Sequence, residues 1–336
     1  MDNKITVVGN YSWDFYEKAL VEGFRKQNIT TVEYLIESKS IKNRLLNSKL
    51  LKEINNKFIE EILKQKPDVI FFYRTNEIYP KTLKIIKKEL PEIKLILFHN
   101  DNPFYGLKHR IKYNLYLKCI KEVDLVYCYR PSNILDVKKY GAKKSKLLYP
   151  YYYSKNDLVK HIDFSKKKYD VVFIGHYEKN RAISINHLIS RGIDVKVFGE
   201  LKAWEESKNK FNWPNHILHP PVYNKDYTDT LNNSKIALCF LSRINNDVYT
   251  RRNFEIPASG TLALSEYTDE LTKLFMDNKE ILLFKDDTEL YHKVQNVLKT
   301  KNQLKEMTLA GYNKVISAGN SENDRALQII NDISFI

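Results

Sequence analysis

The 336-residue chain is 43% hydrophobic and 29% charged with only ten glycines and ten prolines, a composition that excludes collagen-like and proline-rich disordered classes and fits a folded globular protein. Its length allows two domains of ordinary size. The net charge of +14 permits nucleic acid, an anionic membrane face or a phosphate-bearing substrate as partner without choosing among them; a solvated basic surface is the plainest reading of the scattered lysines.

The chain opens on the apolar strand "ITVVGN", residues 5–10. No basic flank followed by a long apolar run precedes it, and no run reaches the roughly 18 apolar residues of a spanning helix, so a cytoplasmic protein is expected. Behind the strand, Tyr16, Ala19, Leu20, Gly23 and Phe24 repeat with the spacing of one buried helix face. "TTVEYLI" reads as a second strand, residues 45–64 as a helix, and "PDVIFFYRT" as a third strand before the helix "YPKTLKIIKKEL", where Pro80 suits a first turn. "KLILFHND" and "VDLVYCYR" follow as strands with a helix through "YNLYLKCI" between them, and "SKLLYPYYY" ends the series. After a polar stretch the pattern restarts with "YDVVFIGHYEKNR", "DVKVFGE", "KIALCFL", "TLALSEY" and "EILLFKD". Continuous apolar strands alternating with amphipathic helices predict parallel sheets covered on both faces. The fold class is therefore α/β, with two Rossmann-like doubly wound domains facing across a cleft. Ligands in such domains bind outside the carboxyl ends of the strands. A last helix starts at the Ser321/Asp324 pair.

Several common motifs are missing. Neither half has GxGxxG, GxxxxGK[ST], HExxH or GxSxG, and no two aspartates are spaced as DxD. Cys119, Cys128 and Cys239 form no CxxC, which argues against a disulfide scaffold or zinc site, and His216 and His219 lack a third ligand.

The chemistry falls on strand-end loops. Gly175 stands where a strand turns toward a helix, and a residue without Cβ lets the backbone approach a phosphate; a plain turn is the bland alternative. Arg181 adds a charge nearby. "YTRRNFEIPASG" sets Arg251, Arg252 and Glu255 before a small-residue turn and a buried strand. Arginine matches phosphate oxygens bidentately, and an acceptor-only carboxylate suits a ribose diol. In the first half, His99 and Asp101 of "FHNDNPF" lie just past a strand end, as a general base should, although Asp101 also suits an ordinary turn. Gly9, Asn10 and Tyr11 close the first strand, and Tyr73 and Arg74 close the third.

"YDVVFIGHYEKNR" together with "RRNFEIPASGTLALSEYTDELTKLFMDNKEILLFKDDTELYHKV" resembles the carboxyl-terminal domain of the CgeB-like glycosyltransferases of the GT-B fold. The likeness covers about residues 169–330, and "FHNDNPF" extends it loosely into the first half. The resemblance implies an acceptor-side domain over residues 1–155, a linker over 156–168, a nucleotide-sugar domain over 169–320, and a helix over 321–336 crossing back to the first domain. It implies a glycosyltransferase that needs no cofactor or obligatory metal, in keeping with the missing DxD. The donor nucleotide sugar would meet Gly175, Arg181, Gly199, Asp247, Arg251, Arg252 and Glu255. Gly9, Asn10, Tyr11 and Arg74 would face a glycan, lipid-linked or protein acceptor, with Asp101 and His99 catalytic. Glu255 matches the second of two acids that many retaining GT-B enzymes space seven residues apart. Asp247 stands at the first, which leaves retention or inversion open, with retention expected.

A nucleotide-sugar epimerase of similar build and a non-catalytic two-lobed binding protein are the alternatives. Nucleic acid is not an expected partner, since no basic face interleaved with aromatics is seen. Peripheral contact with an anionic membrane at the inner face fits the charge.

Overall fold

The computed structural model describes residues 4–37, 39–40 and 48–336. The chain divides into two compact units: Met1–Pro150 with Ile244–Asn246 and Glu322–Ile336, and Tyr151–Arg243 with Asp247–Ser321.

The first unit is built on a six-stranded parallel sheet. Its strands are β1 (Lys4–Gly9), β2 (Thr30–Leu35), β3 (Val69–Tyr73), β4 (Lys94–His99), β5 (Leu125–Cys128) and β6 (Ser145–Leu147), in the order β2-β1-β3-β4-β5-β6. Every residue of VIFFY in β3 is buried, as expected for a strand covered on both faces. The helices are α1 (Glu17–Lys26), α2 (Ser48–Gln65), α3 (Pro80–Glu89), α4 (Gly106–Lys112), α5 (Asn114–Cys119) and α6 (Asn133–Lys139). Residues 45–47, expected in α2, lie outside the described residues. From there α2 buries Leu51, Phe58 and Ile62 along one face. The sequence pattern led us to expect one helix between β4 and β5; the structure has α4 and α5 there. None of α4's seven residues is buried, so it has no apolar stripe facing a core for a periodicity to report.

In the second unit, β7 (Tyr169–Ile174), β8 (Val195–Phe198), β9 (Leu218–His219), β10 (Ser234–Cys239), β11 (Leu262–Glu266) and β12 (Leu282–Phe284) form a second parallel sheet, ordered β12-β11-β10-β7-β8-β9. Its helices are α7 (Lys179–Ile189), α8 (Leu201–Lys210), α9 (Asn224–Asn232), α10 (Arg252–Ala258), α11 (Asp269–Leu274), α12 (Asp287–Lys299) and α13 (Lys301–Ser317). Pro257 and Ala258, expected in a turn, form the last residues of α10. The turn comes at Gly260, whose φ of +72 favours glycine.

Residues 156–168, expected as a linker, pack on the second unit. The Val159 amide donates to the Ala258 carbonyl at 3.1 Å. The buried Lys167 ammonium donates to the carbonyls of Asn232, Ser234 and Gly260 at 2.9, 2.9 and 2.7 Å. Burial pulls its pKa down to about 7, while three carbonyl acceptors favour the charged form.

The final helix, α14 (Glu322–Ile333), belongs to the first unit and lies against α1. A Cβ at Gly23 would stand 2.7 Å from the Glu322 carbonyl oxygen, so only glycine admits this approach. Lys26 pairs with the fully buried Glu322 at 3.1 Å, and Asp332 accepts from the Tyr127 hydroxyl at 2.6 Å and from Lys146 at 2.5 Å.

Candidate functional site

In each sheet the strand order reverses beside the first strand of the unit, between β1 and β3 and between β7 and β10. Open α/β sheets bind ligands outside the carboxyl ends at such a point. A glycine stands there in both units.

In the second unit, Gly175 follows β7 directly. A Cβ on it would come within 3.0 Å of Arg252 Nη2, so the missing side chain makes room for a guanidinium. The Gly175 carbonyl accepts from Trp204 Nε1 at 3.3 Å. Across the planar trans peptide, the His176 N–H therefore points away from Trp204. Gly199, at the end of β8, is needed for the same construction: a Cβ there would meet Trp204 Nε1 at 2.5 Å and the Gly175 oxygen at 2.6 Å. Gly199 thus supports the Gly175 turn from beneath.

The two arginines at the head of α10 behave differently. Arg251 forms ion pairs with the buried Asp157 and Glu255. Glu255, 4% exposed, also accepts from the Tyr227 hydroxyl at 2.5 Å, and burial pushes that hydroxyl's pKa up to about 12. Arg252 enters no ion pair among the described residues, and its Nε is buried without a hydrogen-bond partner. Asn253 fixes this end of the helix by accepting from the Thr250 amide at 2.8 Å and donating to Ser265 Oγ at 3.0 Å.

Arg181, fully buried, pairs with Glu178 and donates to the His176 carbonyl at 3.1 Å. Burial, and then the nearby Arg252 charge, bring its pKa down to about 10. Burial, Arg181 and Arg252 likewise lower that of His176, which holds Glu178 at 3.0 Å. Two guanidiniums thus stand where Glu178 answers one, and the group has an excess of positive charge. Asp247 lies half-buried in the loop between β10 and α10, its amide donating to the Ser242 carbonyl at 3.0 Å.

In the first unit, Gly9 ends β1 against a carboxylate instead. A Cβ there would meet Glu17 Cγ at 2.5 Å. Glu17 is fully buried, and burial raises its pKa against the opposing pull of Arg74 and of backbone amides at Asn10 and Tyr11. Arg74 sits 4.0 Å from Glu17 Oε1, 4.6 Å over the Tyr16 ring, and 3.3 Å from Asn10 Oδ1. Arg74 and Tyr11 both take the left-handed backbone region, with φ of 58 and 52. Bulky residues seldom adopt it, and such strain clusters at functional sites.

His99 ends β4, 6% exposed, and its Nδ1 accepts the Asp101 amide at 3.1 Å. That bond puts the proton of the neutral ring on Nε2. Burial drives the pKa down to about 3. His99 therefore shapes the loop that carries Asp101. The Asp101 carboxylate accepts from the Tyr113 hydroxyl at 2.5 Å and faces Lys112 at 3.8 Å. Burial alone would raise its pKa, but His99, Tyr113, Lys112 and Arg74 together lower it. Asp101 is thus ionised and a weak base near neutrality.

The structure brings Gly175, Arg181 and Arg252 together in the second unit, with Gly199 beneath them. It gathers Gly9, Asn10 and Arg74 in the first. Glu178 and Trp204 join the first of these groups and Glu17 the second, while Asp157 holds Arg251, Tyr227 holds Glu255 and Tyr113 holds Asp101; sequence reasoning missed all six. Among the described residues, no three His, Cys, Asp or Glu side chains are grouped to hold a metal ion.

Residues 181–331 match a family model described as glycosyl transferase-like. No curated protein sequence matches the chain. Among solved structures, a sucrose-phosphate synthase of Thermosynechococcus elongatus aligns with a TM-score of 0.71 at 11% identity, over 98% of this chain and 98% of its own. The Anabaena protein HepE, solved in complex with UDP and glucose, aligns with a TM-score of 0.71 at 11% identity, over 99% of this chain and all of its own. A Listeria monocytogenes protein described as a UDP-N-acetylglucosamine 2-epimerase aligns with a TM-score of 0.59 at 11% identity, over 98% and 95%. The solved structures establish the GT-B fold of two Rossmann-like domains, and the family match over residues 181–331 supports a glycosyltransferase.

Proposed function

We propose that the chain is a CgeB-like enzyme that takes a sugar from a nucleoside-diphosphate donor held by its second unit and passes it, without an obligatory metal, to a hydroxyl acceptor met by the first. The observation that carries this reading is the Arg252 guanidinium, lodged against Gly175 with no carboxylate of its own. A cation left uncompensated beside a backbone turn at a switch point is what a diphosphate requires. Arg252 and the outward His176 amide hold the phosphates, and Arg181 supports them from behind. Glu255 accepts the ribose hydroxyls with lone pairs left over from Arg251 and Tyr227, since a carboxylate has about four acceptor positions. Arg251 orients that carboxylate. Asp247 stands at the sugar end.

UDP in the HepE structures supports a nucleotide donor, and retention of configuration suits the depressed pKa of Asp101. In a retaining route the leaving phosphate takes the acceptor proton, and Asp101 positions the acceptor. The epimerase reading has the Listeria structure in its favour. Incubation with a panel of nucleotide sugars in the presence of EDTA decides between them. The expected result is nucleoside diphosphate release that depends on added glycan or glycolipid acceptor. An inverted sugar nucleotide formed without any acceptor would establish the epimerase instead.

A further inference from the structure

We propose that α4 is a docking element for an anionic phospholipid bilayer and that it brings a lipid-borne acceptor to Asp101, an inference that rests on the proposed acceptor role of the first unit. The helix reads GLKHRIK, and it buries none of its residues. Leu107 is 74% exposed and Ile111 47%, and the preceding Tyr105 is 50% exposed. Four residues apart, Leu107 and Ile111 share one helix face. A helix that only faced water would carry polar residues there.

The cations are in the same stretch. Between Asp101 and Glu122 the chain has Lys108, Arg110, Lys112, Lys118 and Lys121 and no acidic residue. Apolar side chains on one face with lysine and arginine beside them match a bilayer interface, where the former enter the acyl boundary and the latter meet lipid phosphates. Nucleic acid would use the charges and leave Leu107 and Ile111 without a role. Each cation at an anionic surface strengthens binding about fivefold.

The helix is tied to the Asp101 loop. His109 Nδ1 lies 2.7 Å from the Asn102 carbonyl, Lys112 faces Asp101, and Tyr113 at the helix end donates to Asp101. Seven residues make no stable helix alone, so these bonds set its position. A bilayer touching α4 therefore lies next to the loop that would receive the acceptor.

Flotation of the full chain with vesicles made of equal parts phosphatidylcholine and phosphatidylglycerol tests the proposal. Wild type is expected to float with these vesicles, to release at high salt, and to ignore pure phosphatidylcholine. The double variant Leu107→Ser, Ile111→Ser should lose at least tenfold in vesicle affinity, and Lys108→Glu, Arg110→Glu at least as much. Both should keep wild-type melting and wild-type affinity for nucleoside diphosphate, because their altered side chains are exposed. Flotation unchanged in the serine variant, or absent in wild type, overturns the proposal. Loss of nucleoside diphosphate binding in wild type would instead count against the donor site and leave the vesicle result intact.

Discussion

Gly9 and Gly175 occupy matching places in two independent sheets, at the end of the strand where the order reverses, yet their neighbours carry opposite charge. Against Gly9 presses the buried Glu17 carboxyl, with Arg74 near enough to balance it. Against Gly175 presses Arg252, with Arg181 behind it and a single paired carboxylate, Glu178. The same backbone solution therefore serves two chemistries. An end that is balanced within itself suits a neutral, hydroxyl-bearing ligand, while one with a surplus cation suits a polyanion.

The comparison weakens or sharpens under substitution. The largest effect is expected at Arg251, whose removal to Ala strands Asp157 and Glu255 as buried charges. The second unit should lose about 3–5 kcal/mol of stability, read from denaturant unfolding. Near wild-type stability would mean that these carboxylates are held otherwise.

Arg252→Ala comes next and should behave in the opposite way. Stability holds or rises slightly, because like charge near Arg181 is relieved, while nucleoside diphosphate affinity falls by about 1.5–3 kcal/mol, or more than tenfold, by calorimetry. Equal affinity in the variant would dissolve the contrast between the two glycine sites.

The smallest effect is expected from Glu17→Gln. Glu17 keeps its proton to higher pH when folded than when unfolded, so its ionisation costs stability as pH rises from the ordinary carboxylate range through the raised folded value. Gln carries no such cost. The variant should gain on wild type as pH rises from about 4 to about 8, and the gain should vanish at the acid end. A difference independent of pH would show that Glu17 titrates alike in the folded and unfolded chain, its burial fully offset by Arg74 and the backbone amides.

Much of the architecture was legible because buried parallel strands are spelled as apolar runs. VIFFY and YDVVFI need no context to be recognised. The two-residue β9 was not legible, since Leu218–His219 offers no run to read. Gly175, Arg181, Arg251 and Arg252 were singled out because their residue types advertise anion chemistry. What distinguishes Arg251 from Arg252 was invisible, because Asp157 reaches Arg251 from 94 residues away and Tyr227 reaches Glu255 from 28. Glu17 was passed over for the reverse reason. An acid in a helix's first turn reads as a solvated residue favoured by the dipole, and only the pressure against Gly9 reveals its burial.

The close seat of α14 on Gly23 has a consequence for biosynthesis. A ribosome delivers α1 and its sheet early, but the helix that covers Gly23, Glu322 onward, emerges only after the whole second unit has been made. Until then one flank of the nascent first unit stays uncovered, in the kind of partly finished state that chaperones bind. A chain that stops within the second unit leaves that flank bare for good, so premature termination is exposed on the surface of the domain synthesised first.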